Sequence, residues 1–111
     1  MKHELIEKQG AAVVLFKGEI DLESSPAARE VLLQCFDKKQ NVVVDLSEVT
    51  YIDSSGVASL VEALQASKKN GSRFSLAAVS EPTRRVLELA RLDKVFTLFG
   101  SVDQAIASQD Q

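Results

Sequence analysis

The chain has 111 residues, 45% of them hydrophobic and 26% charged, with a formal net charge of −3 and 5% aromatic residues. That length is enough for one ordinary core, and the acidic balance with few aromatics and no basic tract makes a poor nucleic-acid binder. The longest apolar run, residues 11–16, is far too short for a membrane span.

Met1-Lys2-His3-Glu4 opens into mixed charge without an apolar signal region. The single cysteine, Cys35, cannot form an intramolecular disulfide and suits a reducing compartment. One cytoplasmic domain over residues 1–111, with no direct membrane insertion, is therefore the expectation. The charge is uneven: residues 1–55 carry six Lys/Arg against ten Asp/Glu, and residues 56–111 carry seven against six. The basic residues Lys68, Lys69, Arg73, Arg84, Arg85 and Arg91 read as a solvated helix surface.

In chain order, Leu5-Ile6 and residues 12–16 read as two strands around a Gln9-Gly10 hairpin turn, where glycine accepts positive φ. Residues 18–22 read as a loop. Ser25-Pro26 marks a helix start, a hydroxyl cap followed by proline at the first helical position. Ala28, Val31, Leu32, Cys35 and Phe36 form its buried stripe, with Cys35 a small core residue rather than a reactive thiol. The β-branched run Val42-Val43-Val44 predicts a strand buried on both faces of a parallel sheet. Asp45 and Ser47 end that run, and Tyr51-Ile52 adds a second apolar pair within the following loop.

Asp53, Ser54 and Ser55 are three consecutive helix-capping residue types. After Gly56, Val57, Leu60, Val61 and Leu64 have the spacing of a helix burying one face. That helix is predicted to run to about Lys69, where Asn70-Gly71 stops it. Residues 73–79 predict a strand, with Phe74, Leu76 and Ala78 on one side and Ala77 and Val79 on the other. Ser80-Glu81-Pro82 opens a third helix with Val86, Leu87 and Ala90 inward. Residues 95–99 predict a last short strand. Ser101 with Gln104 forms a capping-box pattern for a closing helix to about Ala107. Residues 108–111 read as a polar, frayed tail. Alternating strands and helices give an α/β fold: a mixed, mostly parallel β-sheet of about five strands with about four helices. The order of the strands cannot be read from the sequence.

Enzyme chemistry is poorly served. The only histidine is His3, and Asp53-Ser54-Ser55-Gly56-Val57 lacks the first glycine of a G-x-S-x-G nucleophile elbow. There is no P-loop, no G-x-G-x-x-G and no spaced Cys/His set for a metal. Asp45, Glu48 and Asp53 could form a loose carboxylate group, a pattern more often solvated or capping. A binding module without cofactor, not an enzyme, is the expectation. Ser54 then has two readings of comparable weight: a helix N-cap hydroxyl, or an exposed acceptor for a kinase. A phosphoryl group adds about −1.5 to −2 charges, which a helix N-terminus tolerates.

Asp45-Leu46-Ser47, Val49 and Ile52-Asp53-Ser54-Ser55-Gly56, with the Gly18-Glu19-Ile20-Asp21 loop, resemble the signature of the STAS family of sulfate-transporter and anti-sigma-factor-antagonist domains. The resemblance spans essentially the whole chain. It implies that Ser54, directly after the aspartate of D-S-S-G, is the phosphorylated serine of an anti-sigma-factor antagonist. It further implies a partner surface of Asp21, Asp53, Ser54, Ser55, Gly56 and Val57. Such an antagonist binds, while unphosphorylated, a partner that is both anti-sigma factor and serine kinase; phosphorylation ends binding and a protein phosphatase restores it. Gly56 reads as a support of the site that lets the helix start approach closely. Asp21 reads equally as a turn-forming residue. The family also contains small subunits of bacterial lipid-transporting ABC systems. In that alternative the same loop and helix dock on the transporter ATPase.

Overall fold

The computed structural model describes residues 1–38 and 40–108, and its sheet grows outward from an N-terminal hairpin. β1 (Lys2–Lys8) pairs antiparallel with β2 (Ala11–Ile20), placing Leu5 opposite Val14 and Ile6 opposite Val13. Gln9 and Gly10 between them both take left-handed backbone, with φ of 53° and 83°. A two-residue loop needs that geometry to match the twist of its strands. α1 (Ser25–Asp37) crosses to β3 (Asn41–Ile52), and α2 (Ser54–Asn70) crosses to β4 (Phe74–Ala77). α3 (Glu81–Leu89), β5 (Thr97–Phe99) and α4 (Val102–Ser108) complete the chain. The strands lie in sequence order, β1-β2-β3-β4-β5, and every pair after the hairpin is parallel.

Two apolar layers hold the sheet. On one face Phe16, Val42, Val44, Leu46 and Leu76 meet Leu32 of α1, Leu60 of α2 and Leu87 of α3. On the other, Val43 joins Ala11, Val13 and Ala77 beneath Ala105 and Ile106 of α4. Alternation along β3 thus sends Val42 and Val44 to one layer and Val43 to the other, as the uninterrupted valine run implied. Val43 is completely buried. Val43→Ala is expected to cost about 1–3 kcal/mol through lost transfer energy and a small cavity. A urea midpoint equal to that of the wild type would show that the α4 layer contributes no packing energy.

The strands at the centre are longer than their apolar runs suggest. Residues 18–20 belong to β2 rather than to a loop, and residues 45–52 continue β3. The β2–β3 pairing runs from Ala11 opposite Asn41 to Ile20 opposite Ile52, with register shifts between Leu15 and Lys17 and between Gly18 and Glu19. Ile20, Leu46, Val49 and Ile52 are buried along this extension, so inward side chains carry the ladder past the polar Asp45 and Ser47.

The later strands are shorter than expected. β4 stops at Ala77 because Ala78 turns into left-handed backbone (φ 51°), and residues 95 and 96 form a turn on Leu92 O before β5 begins. Ala90, expected inward, is exposed just beyond α3. α1 begins one residue beyond Ser24, its N-cap position, rather than being capped by the Ser25 hydroxyl. α2 ends as its sequence implied, with Gly71 as a left-handed C-cap (φ 71°). Ser101 Oγ accepts from the Gln104 N–H at 3.1 Å, the forward half of the expected capping box. Ser108 is the last residue of α4 and not part of a tail; residues 109–111 lie outside the described residues. No helix among the described residues is long and apolar enough to cross a membrane.

Candidate functional site

The ends of β2 and β3 lie side by side, and each feeds directly into a helix or loop. The Asp53 N–H donates to Ile20 O at 3.3 Å. One residue further along each chain, Asp21 and Ser54 therefore begin two neighbouring segments. Asp53 is extended (φ −109°, ψ −172°) and is the N-cap of α2: its Oδ1 accepts from the N–H groups of Ser55 at 2.9 Å and Gly56 at 3.1 Å. The carboxylate thus satisfies two donors that an α-helix leaves without partners.

With Asp53 in that position, Ser54 is not the cap. It is the first residue of α2, it is exposed, and its hydroxyl makes no hydrogen bond among the described residues. Ser55 is half-buried, its N–H held by Asp53 and its carbonyl 3.1 Å from Ser59 Oγ. Ser59 Oγ also lies 3.1 Å from Ser25 O, so the first turns of α1 and α2 are tied by one buried hydroxyl.

Gly56 fixes how closely α2 approaches the sheet. A Cβ there would stand 2.6 Å from Ile20 O, 2.6 Å from Ile52 Cγ1 and 2.9 Å from Ile20 Cγ2. Only a residue without a side chain lets the helix start lie against the end of β2. Val57, expected on the partner surface, is 6% exposed and packs in the main layer. Its apolar side chain thus belongs to the inner stripe of α2 that the sequence spacing implied.

Asp21 folds its own loop. Its Oδ1 accepts from the N–H groups of Ser24 at 3.0 Å and Glu23 at 3.1 Å and lies 3.1 Å from Ser24 Oγ. The Ser24 N–H, then the Ser24 hydroxyl and the Glu23 N–H, hold the Asp21 carboxyl below the usual carboxylate range. The loop is therefore anionic and pre-shaped, with Glu19, Asp21 and Glu23 lining one shallow depression. Asp45, in contrast, holds the N–H of Ser47 on β3, and no group of three or more His, Cys, Asp or Glu among the described residues is placed to hold a metal.

Two further side chains belong to the description of this end of the sheet. Leu22, between Asp21 and Glu23, is 73% exposed, and Tyr51, beside Glu19 in the β2–β3 register, is 49% exposed. Leu22 had a signal, a lone leucine between two acids with no helical period around it; Tyr51 read as half of an apolar pair with Ile52.

The sequence profile of the STAS domain matches residues 2–105. The chain is 34% identical over 103 residues to the anti-sigma-F factor antagonist RsfB of Mycobacterium tuberculosis, covering 90% of this chain and 82% of that protein. Its fold superposes on the crystal structure of an anti-sigma factor antagonist from Mycobacterium paratuberculosis with a TM-score of 0.90 at 28% identity, covering 99% and 94% of the two chains. It also shares its fold, at 17% identity, with the anti-sigma factor antagonist SpoIIAA in its unphosphorylated form (TM-score 0.84, covering 98% and 96%) and with the Bacillus cell fate determinant SpoIIAA in the phosphorylated form (TM-score 0.75, covering 96% and 98%).

Proposed function

Because the chain belongs to the STAS domain family, we propose that it is an anti-sigma-factor antagonist whose partner surface surrounds Ser54 and whose binding ends when Ser54 is phosphorylated. The observation that carries this reading is the division of labour at the start of α2. Asp53 caps the helix, so the Ser54 hydroxyl is exposed and makes no hydrogen bond to any other described residue. A capping serine would have to break its hydrogen bond to the helix to react; among the described residues Ser54 makes no such bond. The relatives named above are antagonists of anti-sigma factors, one of their fold occurs in phosphorylated and unphosphorylated forms, and this chain's site supplies an acceptor of the right kind.

The partner is then an anti-sigma factor that carries serine kinase activity with its own ATP, and a protein phosphatase reverses the modification. Asp21, Asp53, Ser54 and Ser55 provide the polar surface, with Gly56 and Val57 holding it in place. The antagonist needs no catalytic group of its own. Incubation with the cognate kinase and ATP is expected to add one phosphate, on Ser54. Ser54→Ala is expected to abolish the labelling without loss of fold, since Asp53 still caps α2. Undiminished incorporation into that variant would move the acceptor elsewhere, first to Ser55. Co-purification with a transporter ATPase and no labelling at all would favour the transport-subunit alternative.

A further inference from the structure

β1 is the outer strand of the sheet and pairs with β2 alone among the described residues. All seven of its residues are exposed, including Leu5 at 51% and Ile6 at 55%. Its register runs without a shift from Lys2 opposite Lys17 to Lys8 opposite Ala11, and the strand contains no proline. A long, regular edge of this kind offers a row of backbone donors and acceptors to another strand. The opposite edge is blunted by its shortness, since β5 has only three residues.

Which backbone groups point outward follows from the hairpin. Lys8 and Ala11 flank the two-residue turn as a hydrogen-bonded pair, and such pairs alternate along antiparallel strands. The N–H and C=O groups of Lys8, Ile6 and Glu4 therefore face β2, while those of His3, Leu5 and Glu7 face away from it. Side chains alternate as well. Ile6, opposite Val13, lies on the α4 face of the sheet with Glu4 and Lys8. Leu5, opposite Val14, lies on the face that α1, α2 and α3 cover.

We propose that β1 is a dimerisation edge: a second copy of this chain adds its own β1 antiparallel, about a two-fold axis through Ile6, and the two sheets become one. An axis normal to the sheet keeps like faces together, so each residue meets one of its own parity and the axis passes through a residue. Opposite charges directly across a strand pair stabilise it and like charges destabilise it. A centre at Glu4 or Glu7 sets that carboxylate against its own copy, and a centre at Leu5 sets Lys2 against the second copy's Lys8 at both ends. Of these four central positions, only Ile6 avoids such clashes. Ile6 then meets Ile6, Glu4 meets the second copy's Lys8 on either side of the axis, and the outward backbone groups of Leu5 and Glu7 pair with each other. Pairs within each chain extend the pattern, since Lys17 Nζ lies 3.3 Å from Glu4 Oε1 and Lys8 Nζ 2.6 Å from Asp103 Oδ1. Lys17, Glu4, the second copy's Lys8 and its Asp103 thus follow one another with alternating sign. Because the axis reverses the strand direction, the two Ser54 surfaces lie at opposite ends of the joined sheet. The dimer therefore stands or falls independently of the phosphorylation reading.

The test is sedimentation equilibrium of the full chain over a dilution series, beside thermal melts. A concentration-dependent dimer is expected. Ile6→Lys places like charges together at the axis and is expected to weaken the dimer by about tenfold or more. Ile6 is more than half exposed, so the melting temperature of that variant is expected to stay near wild type. Cysteine cross-linking reads the register. Opposed residues of a non-hydrogen-bonded pair have Cα atoms about 4.5 Å apart, within disulfide reach. Ile6→Cys is therefore expected to form a covalent dimer under mild oxidation. Leu5→Cys would stand diagonally from its own copy at about 7–8 Å, beyond that reach. It is expected to cross-link no more than the wild type, whose single cysteine is the buried Cys35. A chain that stays monomeric throughout, growth beyond two copies, a dimer that Ile6→Lys leaves unchanged, or cross-linking of Leu5→Cys in place of Ile6→Cys would overturn the proposal.

Discussion

Ser54→Asp is expected to weaken partner binding by tens- to thousands-fold, while Ser54→Ala binds nearly as tightly as wild type. The argument starts from position. Ser54 is exposed on the first turn of α2, beside a carboxylate whose Oδ1 is already occupied by two backbone N–H groups. A second negative charge next to Asp53 finds those two donors already engaged, and Glu19 near the end of β2 with Asp21 and Glu23 of the following loop add negative charge. When a partner desolvates this surface, an uncompensated charge costs roughly 2–5 kcal/mol, which is the stated range of affinity loss. In the free protein the same charge faces water and salt, which screen it, and the start of a helix favours an acid. Both variants are therefore expected to melt within a few degrees of wild type. Titration calorimetry beside thermal melts separates the outcomes. Ser54→Asp binding as tightly as wild type, or failing only because it unfolds, would remove local electrostatics as the mechanism.

Gly56→Ala is expected to destabilise the fold by about 3 kcal/mol, the upper end of the usual cost of over-packing. Replacing glycine by alanine inside an exposed helix would stabilise it by about 1 kcal/mol, so even the sign is diagnostic. Here the new methyl would lie 2.6 Å from Ile20 O and 2.6 Å from Ile52 Cγ1. The carbonyl belongs to a strand end that also accepts the Asp53 N–H, so the neighbour cannot rotate away as a side-chain tip would. Relief requires the first turn of α2 to move off β2, and that movement changes the position of Ser54 relative to the Asp21 loop. A urea midpoint well below wild type is expected, with weaker partner binding in whatever fraction stays folded. An unchanged or raised midpoint would show that α2 does not need this close approach.

How much of the site could be read beforehand depends on the range of the interaction involved. The aspartate and two serines before an apolar helix stripe announce a helix start and leave an exposed Ser54 hydroxyl as one of two readings. They did not say which of the three would cap, because all three residue types do so. Asp53 takes that role because its backbone is extended at the end of β3 and paired to Ile20. The exposure of Leu22 and Tyr51 has a related cause: whether an apolar residue is exposed depends on what the fold leaves uncovered. The Val57-Leu60-Val61-Leu64 spacing already put Val57 on the buried face of α2, and it packs in the main layer.

The alternation of strands and helices, the hairpin, the doubly buried valine strand and the glycine stop of α2 are legible in the residues alone. Each rests on side-chain periodicity or backbone preference within a few residues, which no distant contact needs to supply. The strand order, the continuation of β2 and β3 through polar residues, and the alignment of the ends of β2 and β3 by the Asp53–Ile20 hydrogen bond arise only in the tertiary structure. Those outcomes depend on hydrogen bonds and packing between segments about 30 residues apart, such as Ile20 with Asp53 and Asn41 with Arg73. A local pattern cannot encode them, because the partner of each group is chosen only when the sheet assembles.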